Sequence, residues 1–254
     1  YAPGNALVVV AGDVDAQAVF EIAERTYGRV ADRPLPERRP QPEPEQRGVR
    51  RLVVAAPAET PYLALGFKAP RLESVDGPVD PFALAMLAAV LDADENGRLT
   101  RELVRGSRVA SAVGASWSFL GRGPGLFMLS GTPAAGVEVA DLEAALREQV
   151  ARIAREGVEQ SELERIRTQY VAGRIYQRDS IFSQAMEIVS LEAAGLSWSD
   201  ADRLIERVGA VSSDEVRQVA ARYFGDERLT AARLDPQPLD QARQPRAPVP
   251  GMRH

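Results

Sequence analysis

Cysteine is absent from the 254 residues. That removes disulfides, thiolate nucleophiles and thiolate-held metals together. Histidine occurs once, as the terminal His254. A zinc hydrolase holds its metal with about three protein ligands, usually rich in histidine, and a serine or cysteine triad needs a histidine base. This sequence supplies neither set. Lysine is as scarce: Lys68 stands alone, so 30 of the 31 basic residues are arginine. That reads as coding bias, because no arginine cluster has the density that phosphate binding needs. No apolar run approaches the ~20 residues of a membrane span. The run near the start is too short for one, and no small-residue cleavage site follows it as in a secretory signal. Acidic residues outnumber basic ones, 36 to 31, and the net charge of −5 argues against non-specific nucleic-acid binding.

The rest of the composition is that of a globular protein, 45% hydrophobic and 26% charged. "NALVVVAGDV" (5–14) reads as a strand leaving through Gly-Asp. "DAQAVFEIAERTYG" reads as a helix with Asp15 as N-cap, its apolar face Val19, Ile22, Ala23 and Tyr27 at helical spacing, stopped by Gly28. "RVADRPLPERRPQPEPEQRG" is rich in proline and charge and lacks apolar periodicity, so it reads as an extended linker. Two strands follow, "VRRLVVAAPA" and "PYLALGFKAP". Asp80-Pro81 then opens "PFALAMLAAVLD", a helix apolar nearly all round and therefore buried. "NGRLTRELVRG" reads as a short helix after an Asn-Gly turn. "VASAVGASWSFL" and "LFMLSGTP", joined by "GRGPG", read as a β-hairpin.

The remainder is mostly helical. One helix carries the stripe Leu142, Leu146, Val150 and Ile153. Three more open on paired caps: Ser161 with Glu164, Ser197 with Asp200, and Ser212 with Glu215. "IFSQAMEIVSLEAAG" is a further helix. A last strand, "RLTAARLDP", precedes a proline-rich tail. The two ends echo each other. "ARYFGDERLTAARLDP" and "YAPGNALVVVAGDVD" both run aromatic residue, short turn, strand, Asp exit, as if each closed the same kind of unit.

Taken in order, "YAPGNALVVVAGDVD", "RRLVVAAPAETPYLALGFKAP", "ENGRLTRELV", "GPGLFMLSGTPA", "LEAALREQVARIAREGVEQSELER" and "LEAAGLSWSDADRLIERVGAVSSDEVRQVAARYF" resemble the second half of bacterial pitrilysin/insulinase-family zinc metallopeptidases, over about residues 1–236. The resemblance implies an α+β fold: a layered mixed or antiparallel sheet with helices packed on it, of the LuxS/mitochondrial-processing-peptidase-like metallopeptidase kind. It implies four segments. Residues 1–30 are the last strand and helix of a preceding homologous domain, 31–47 a linker, 48–236 an inactive second domain, and 237–254 a flexible tail.

In that family the first domain carries the zinc motif H-x-x-E-H plus a more distal Glu ligand, and the second closes over the substrate. With His254 as sole histidine the motif cannot occur here, so the expectation is no zinc in this stretch and no cleavage by it alone. The zinc would sit in a missing N-terminal domain of the parent. Many second domains in the family supply an Arg and, seven residues on, a Tyr that hold the substrate carbonyl and the developing oxyanion. Matching "RELVRGSRVASAV" to that pattern puts Val104 and Ser111 at the two positions, and neither can do that work. Arg105 and Arg108 lie within a small register shift.

The function implied is the non-catalytic C-terminal domain of a zinc-dependent endopeptidase, shaping a substrate chamber and helping to bind extended peptides. The alternative is an inactive scaffold or assembly subunit. Implied partners are the zinc domain, an extended peptide, and a homologous partner chain or second copy, in a bacterial periplasm or envelope, with the cytoplasm as alternative. Other readings weigh less. "GRGPG" joins strands and opens no helix, so it makes no phosphate site. Trp117, Phe119 and Phe127 read as core or as a peptide-binding face. Asp92, Asp94 and Glu95 lack the ligand spacing of a calcium loop.

Overall fold

The computed structural model describes residues 2–35, 37, 39, 44–93 and 96–239. Its sheet has five strands, β1 (Arg50–Pro57), β2 (Tyr62–Ala69), β3 (Ala110–Ser116), β4 (Gly125–Pro133) and β5 (Leu229–Gln237), in the order β1-β5-β2-β4-β3. β1 lies parallel to β5, and the other neighbours are antiparallel. The central strand β2 alternates as a half-buried strand must. Leu63, Leu65, Phe67 and Ala69 point into the core, joined by Phe127 and Leu129 of β4 and Leu229 and Ala231 of β5.

Helices α2 (Asp80–Leu91), α3 (Val139–Glu156), α4 (Gln160–Gln177), α5 (Ile181–Ala194), α6 (Ala201–Gly209) and α7 (Ser213–Tyr223) follow. α2 is the buried centre of this layer, with contacts to α4, α6 and α7, and Phe82, Leu84, Met86, Leu87, Val90 and Leu91 wholly enclosed. Its N-cap is Val79, so Asp80 and Pro81 occupy the first turn, one place further in than the sequence suggested. α3 buries the predicted stripe Leu142, Leu146, Val150 and Ile153. The paired caps form at Ser197/Asp200 and Ser212/Glu215. At α4 the third does not form: Glu159 takes the N-cap position and Ser161 lies inside the helix.

The opposite sheet face holds Ala64, Gly66, Met128, Ser130, Thr132 and Ala232, half-open to solvent or shielded only by one another. At its β1 edge Leu52, Val53 and Val54 are all more than half exposed. The N-terminal segment behaves differently from the rest. Residues 6–10 form no strand and pair with none among the described residues, because a ladder needs a neighbour as well as an apolar sequence. The following helix α1 (Ala16–Thr26) is capped by Asp15, whose carboxylate accepts the Ala18 N–H at 2.8 Å, yet it buries no residue. Leu7, Val8, Val10, Phe20, Ile22 and Tyr27 stay exposed. Ahead of β1, Gln46 anchors the chain to the domain: its amide donates to Leu229 O at 2.6 Å and Gly48 O at 2.8 Å.

Candidate functional site

Between α2 and β3 the backbone departs from regular geometry three times within a dozen residues. The chain first turns sharply at Gly97, where an added Cβ would meet Ala93 N at 2.7 Å and Leu91 O at 2.8 Å, so only glycine fits. Arg98 then anchors the segment. It is 7% exposed, and its guanidinium grips Glu162 of α4 through Nε at 3.0 and 3.1 Å and Nη2 at 2.5 Å. Burial alone would push the Glu162 carboxyl up, but the Arg98 hydrogen bonds and charge, with Arg101 and Arg165 nearby, hold it below the usual carboxylate range.

The first irregularity is a π-helix over Thr100–Gly106 in place of an ordinary short helix. It closes with the Ser107 N–H donating to Glu102 O at 2.8 Å, reinforced by Ser107 Oγ at 2.9 Å. The second is Arg108, with φ of 57°, the single non-glycine residue with positive φ among the described residues. The third is a bulge in β3: Ala110 pairs with Pro133 and Ala112 with Thr132, leaving Ser111 as the extra residue. Ser111 Oγ turns back on β4 and donates to Thr132 O at 3.3 Å. The structure thus places the four sequence-singled residues on one short segment in different settings. Val104 packs half-buried against the core, whereas Arg105, Arg108 and Ser111 are exposed. π-bulges, αL residues and β-bulges are each enriched near functional sites.

A cleft of about 400 Å³ opens between α2, α4 and the end of β3. Its floor is one face of α2, Ala85, Ala88, Ala89 and Asp92, at helical spacing. One wall is the strand end Ala115–Leu120 and the other is Tyr170 and Arg174 of α4. The wall is held in place. Trp117 Nε1 donates to Pro81 O at 3.0 Å, its ring stacks on Phe127 at 6.3 Å, and the Phe119 ring lies 5.7 Å from Phe82. Asp92 Oδ2 accepts the Ala115 N–H at 3.0 Å, which fixes the carboxylate and blocks the outer edge of β3 at that point. Burial pushes the Tyr170 phenol up. Through Phe119, Leu120 and Arg174 the cleft joins a second cavity of about 280 Å³, bounded by Phe182, Met186 and Leu191 of α5. There Arg174 pairs with Glu187 at 2.9 Å.

Of the aromatics read from the sequence, Phe127 is core, while Trp117 and Phe119 are both packed and cleft-lining. Tyr170, Arg174 and the cleft role of Asp92 escaped sequence reasoning. The only signal was the small-residue face of a helix that reads as uniformly apolar. The "GRGPG" turn wraps Arg71: a Cβ on Gly121 or Gly125 would lie 2.5 Å from Arg71 Nη1 or 2.8 Å from Arg71 Nε. Among the described residues no three His, Cys, Asp or Glu side chains form a metal-ligating group. His254, Asp94 and Glu95 lie outside the described residues.

Comparison with known proteins accords with this architecture. The chain is 29% identical over 246 residues to the zinc protease PqqE of Helicobacter pylori, covering 93% of this chain and 52% of that protein. It shares its fold with a protease from Helicobacter pylori at a TM-score of 0.78 and 23% identity, covering 89% of this chain and 54% of that one. It also shares it with the periplasmic protease PqqL of Escherichia coli, at a TM-score of 0.70 and 12% identity, over 89% of this chain and 26% of that one. The chain therefore spans about half the length of the Helicobacter pylori proteins it matches. Residues 1–170 match the family model described as the peptidase M16 inactive domain, and the chain belongs to that family.

Proposed function

We propose that the chain is the non-catalytic second domain of a zinc-dependent endopeptidase, forming one wall of the substrate chamber and helping to bind extended peptides. The observation that carries this reading is the inactive-domain family match on a sequence whose single histidine cannot make H-x-x-E-H. Zinc chemistry then belongs to a homologous domain outside this sequence. Residues 1–30 finish that domain, 31–47 link it, 48–236 form the inactive unit, and 237–254 are a tail. The apolar side chains on residues 6–30 support the division, since exposed apolar groups in such a row call for a covering surface. Val104, Arg105, Arg108 and Ser111 face substrate from the irregular segment, Val104 from a half-buried place against the core. The location is the bacterial periplasm or envelope, as for PqqL, and no helix among the described residues is long and apolar enough to cross a membrane.

A second reading, an inactive scaffold subunit, is favoured by one observation. Ser111 spends its hydroxyl on β4, donating to Thr132 O, and by the family resemblance Val104 and Ser111 fall at the positions of the oxyanion-binding Arg and Tyr. The experiment is zinc analysis and chelator-sensitive peptide hydrolysis on the full-length protein. Roughly one zinc per chain with hydrolysis supports the peptidase. An intact fold with no zinc and no hydrolysis supports the scaffold.

A further inference from the structure

We propose that the cleft between α2, α4 and the β3–β4 hairpin binds the side chain of a lysine or arginine in an extended polypeptide, with Asp92 as its counter-ion. The inference rests on the reading of this domain as peptide-binding and adds a chemical preference to it. The cleft has the dimensions of a short peptide segment. From Ala85 to Asp92 the α2 floor runs about 10 Å at 1.5 Å per residue, the length of about three extended residues. Its two ends differ. The Phe119 ring contacts Phe82, one turn before Ala85, so the junction with the second cavity lies toward the start of α2, and Asp92 closes the opposite end.

The charges are distributed to match. Arg174, at the junction, already has its counter-ion in Glu187, and Arg178 beyond it has Asp202 at 2.7 Å. Asp92 has no ion-pair partner among the described residues. Oδ2 is held by the Ala115 N–H, so the carboxylate lines the cleft with no cation paired to it among the described residues. A long basic side chain answers both features. Its methylenes lie over Ala85, Ala88 and Ala89, which are small enough to admit them, while its cation passes the rings of Trp117, Phe119 and Tyr170 and ends on Asp92. The pinned Trp117 means that little ordering is left to be done on binding. Apolar neighbours of the basic residue would reach the adjoining cavity lined by Phe182 and Met186.

The test is fluorescence anisotropy of the 254-residue chain with three labelled unstructured hexapeptides that differ at one central position: lysine, norleucine or glutamate. Two variants accompany it. Asp92→Asn keeps an oxygen for the Ala115 N–H and removes the charge, and Ala88→Leu narrows the floor. Thermal melts confirm that both variants are folded. The expected result is lysine-peptide binding about 10-fold tighter than that of the norleucine peptide, the range of a charge-assisted hydrogen bond, with glutamate weakest. Asp92→Asn should abolish the lysine preference, and Ala88→Leu should weaken all three peptides. Binding that ignores the central residue and both variants overturns the cleft assignment while leaving peptide binding by the domain in place. Binding of none of the peptides by the wild-type chain overturns both.

Discussion

Replacing Glu162 by Gln tests how the irregular segment is held to the helix layer. Arg98 begins that segment and is 7% exposed, and Glu162, on α4, is its bidentate partner. Breaking a sealed ion pair by removing one member costs about 3–5 kcal/mol, because the remaining charge is stranded. The Glu162 side chain keeps 14% exposure and Arg98 9%, so the lower end applies, about 3 kcal/mol. For a domain of this size that lowers the melting temperature by roughly 6–12 °C. The pair replaced together, Arg98→Met with Glu162→Leu, should recover to within about 1 kcal/mol of wild type, since no charge is left behind. Because the Glu162 carboxyl is held low when folded, its contribution is complete above the unfolded carboxylate value near ~4.3 and is lost as pH falls through the folded value. Urea melts from pH 7 to pH 3 should therefore show a steeper acid loss in wild type than in Glu162→Gln. If Glu162→Gln melts within ~0.5 kcal/mol of wild type, or the double variant loses the sum of its parts, the segment is not anchored by this pair.

Phe67 is 1% exposed and packs on Phe224 at 4.8 Å, so Phe67→Ala should cost about 3–5 kcal/mol in chemical denaturation. Arg108, at φ 57°, should be replaced by Gly with little loss, whereas the β-branched Arg108→Val should destabilise by about 1–2 kcal/mol more than Gly, read from paired thermal melts. Asp15→Ala should lower the helicity of α1 without moving the main melting transition, since α1 buries nothing in the domain.

The sequence made the amphipathic elements plain because their pattern is local. The α3 stripe buries as its spacing requires, and the caps at Ser197 and Ser212 form where the Ser-x-x-acid pattern sits at a helix start. The Ser161 cap failed because tertiary contacts set that helix start. Ser213 Oγ takes the Val158 N–H, Glu159 stays extended, and the helix begins at Gln160. The strand expected at 5–14 lacks any partner among the described residues, and no single-strand pattern can supply one. The parallel pairing of β1 with β5 joins segments about as far apart as the domain allows, so alternation alone could not reveal it. The π-helix at Thr100–Gly106 and the cleft above Ala85 and Ala88 arise from packing between elements. That is why Val104, Arg105, Arg108 and Ser111 could be named from resemblance, while Asp92, Tyr170 and Arg174 required the structure.

The most direct measurement is zinc content and peptide hydrolysis of the purified 254-residue chain after exposure to excess zinc and desalting. The expected result is far less than one equivalent of retained metal and no chelator-sensitive cleavage of an unstructured peptide. Retention of roughly one zinc per chain together with chelator-sensitive hydrolysis would contradict it.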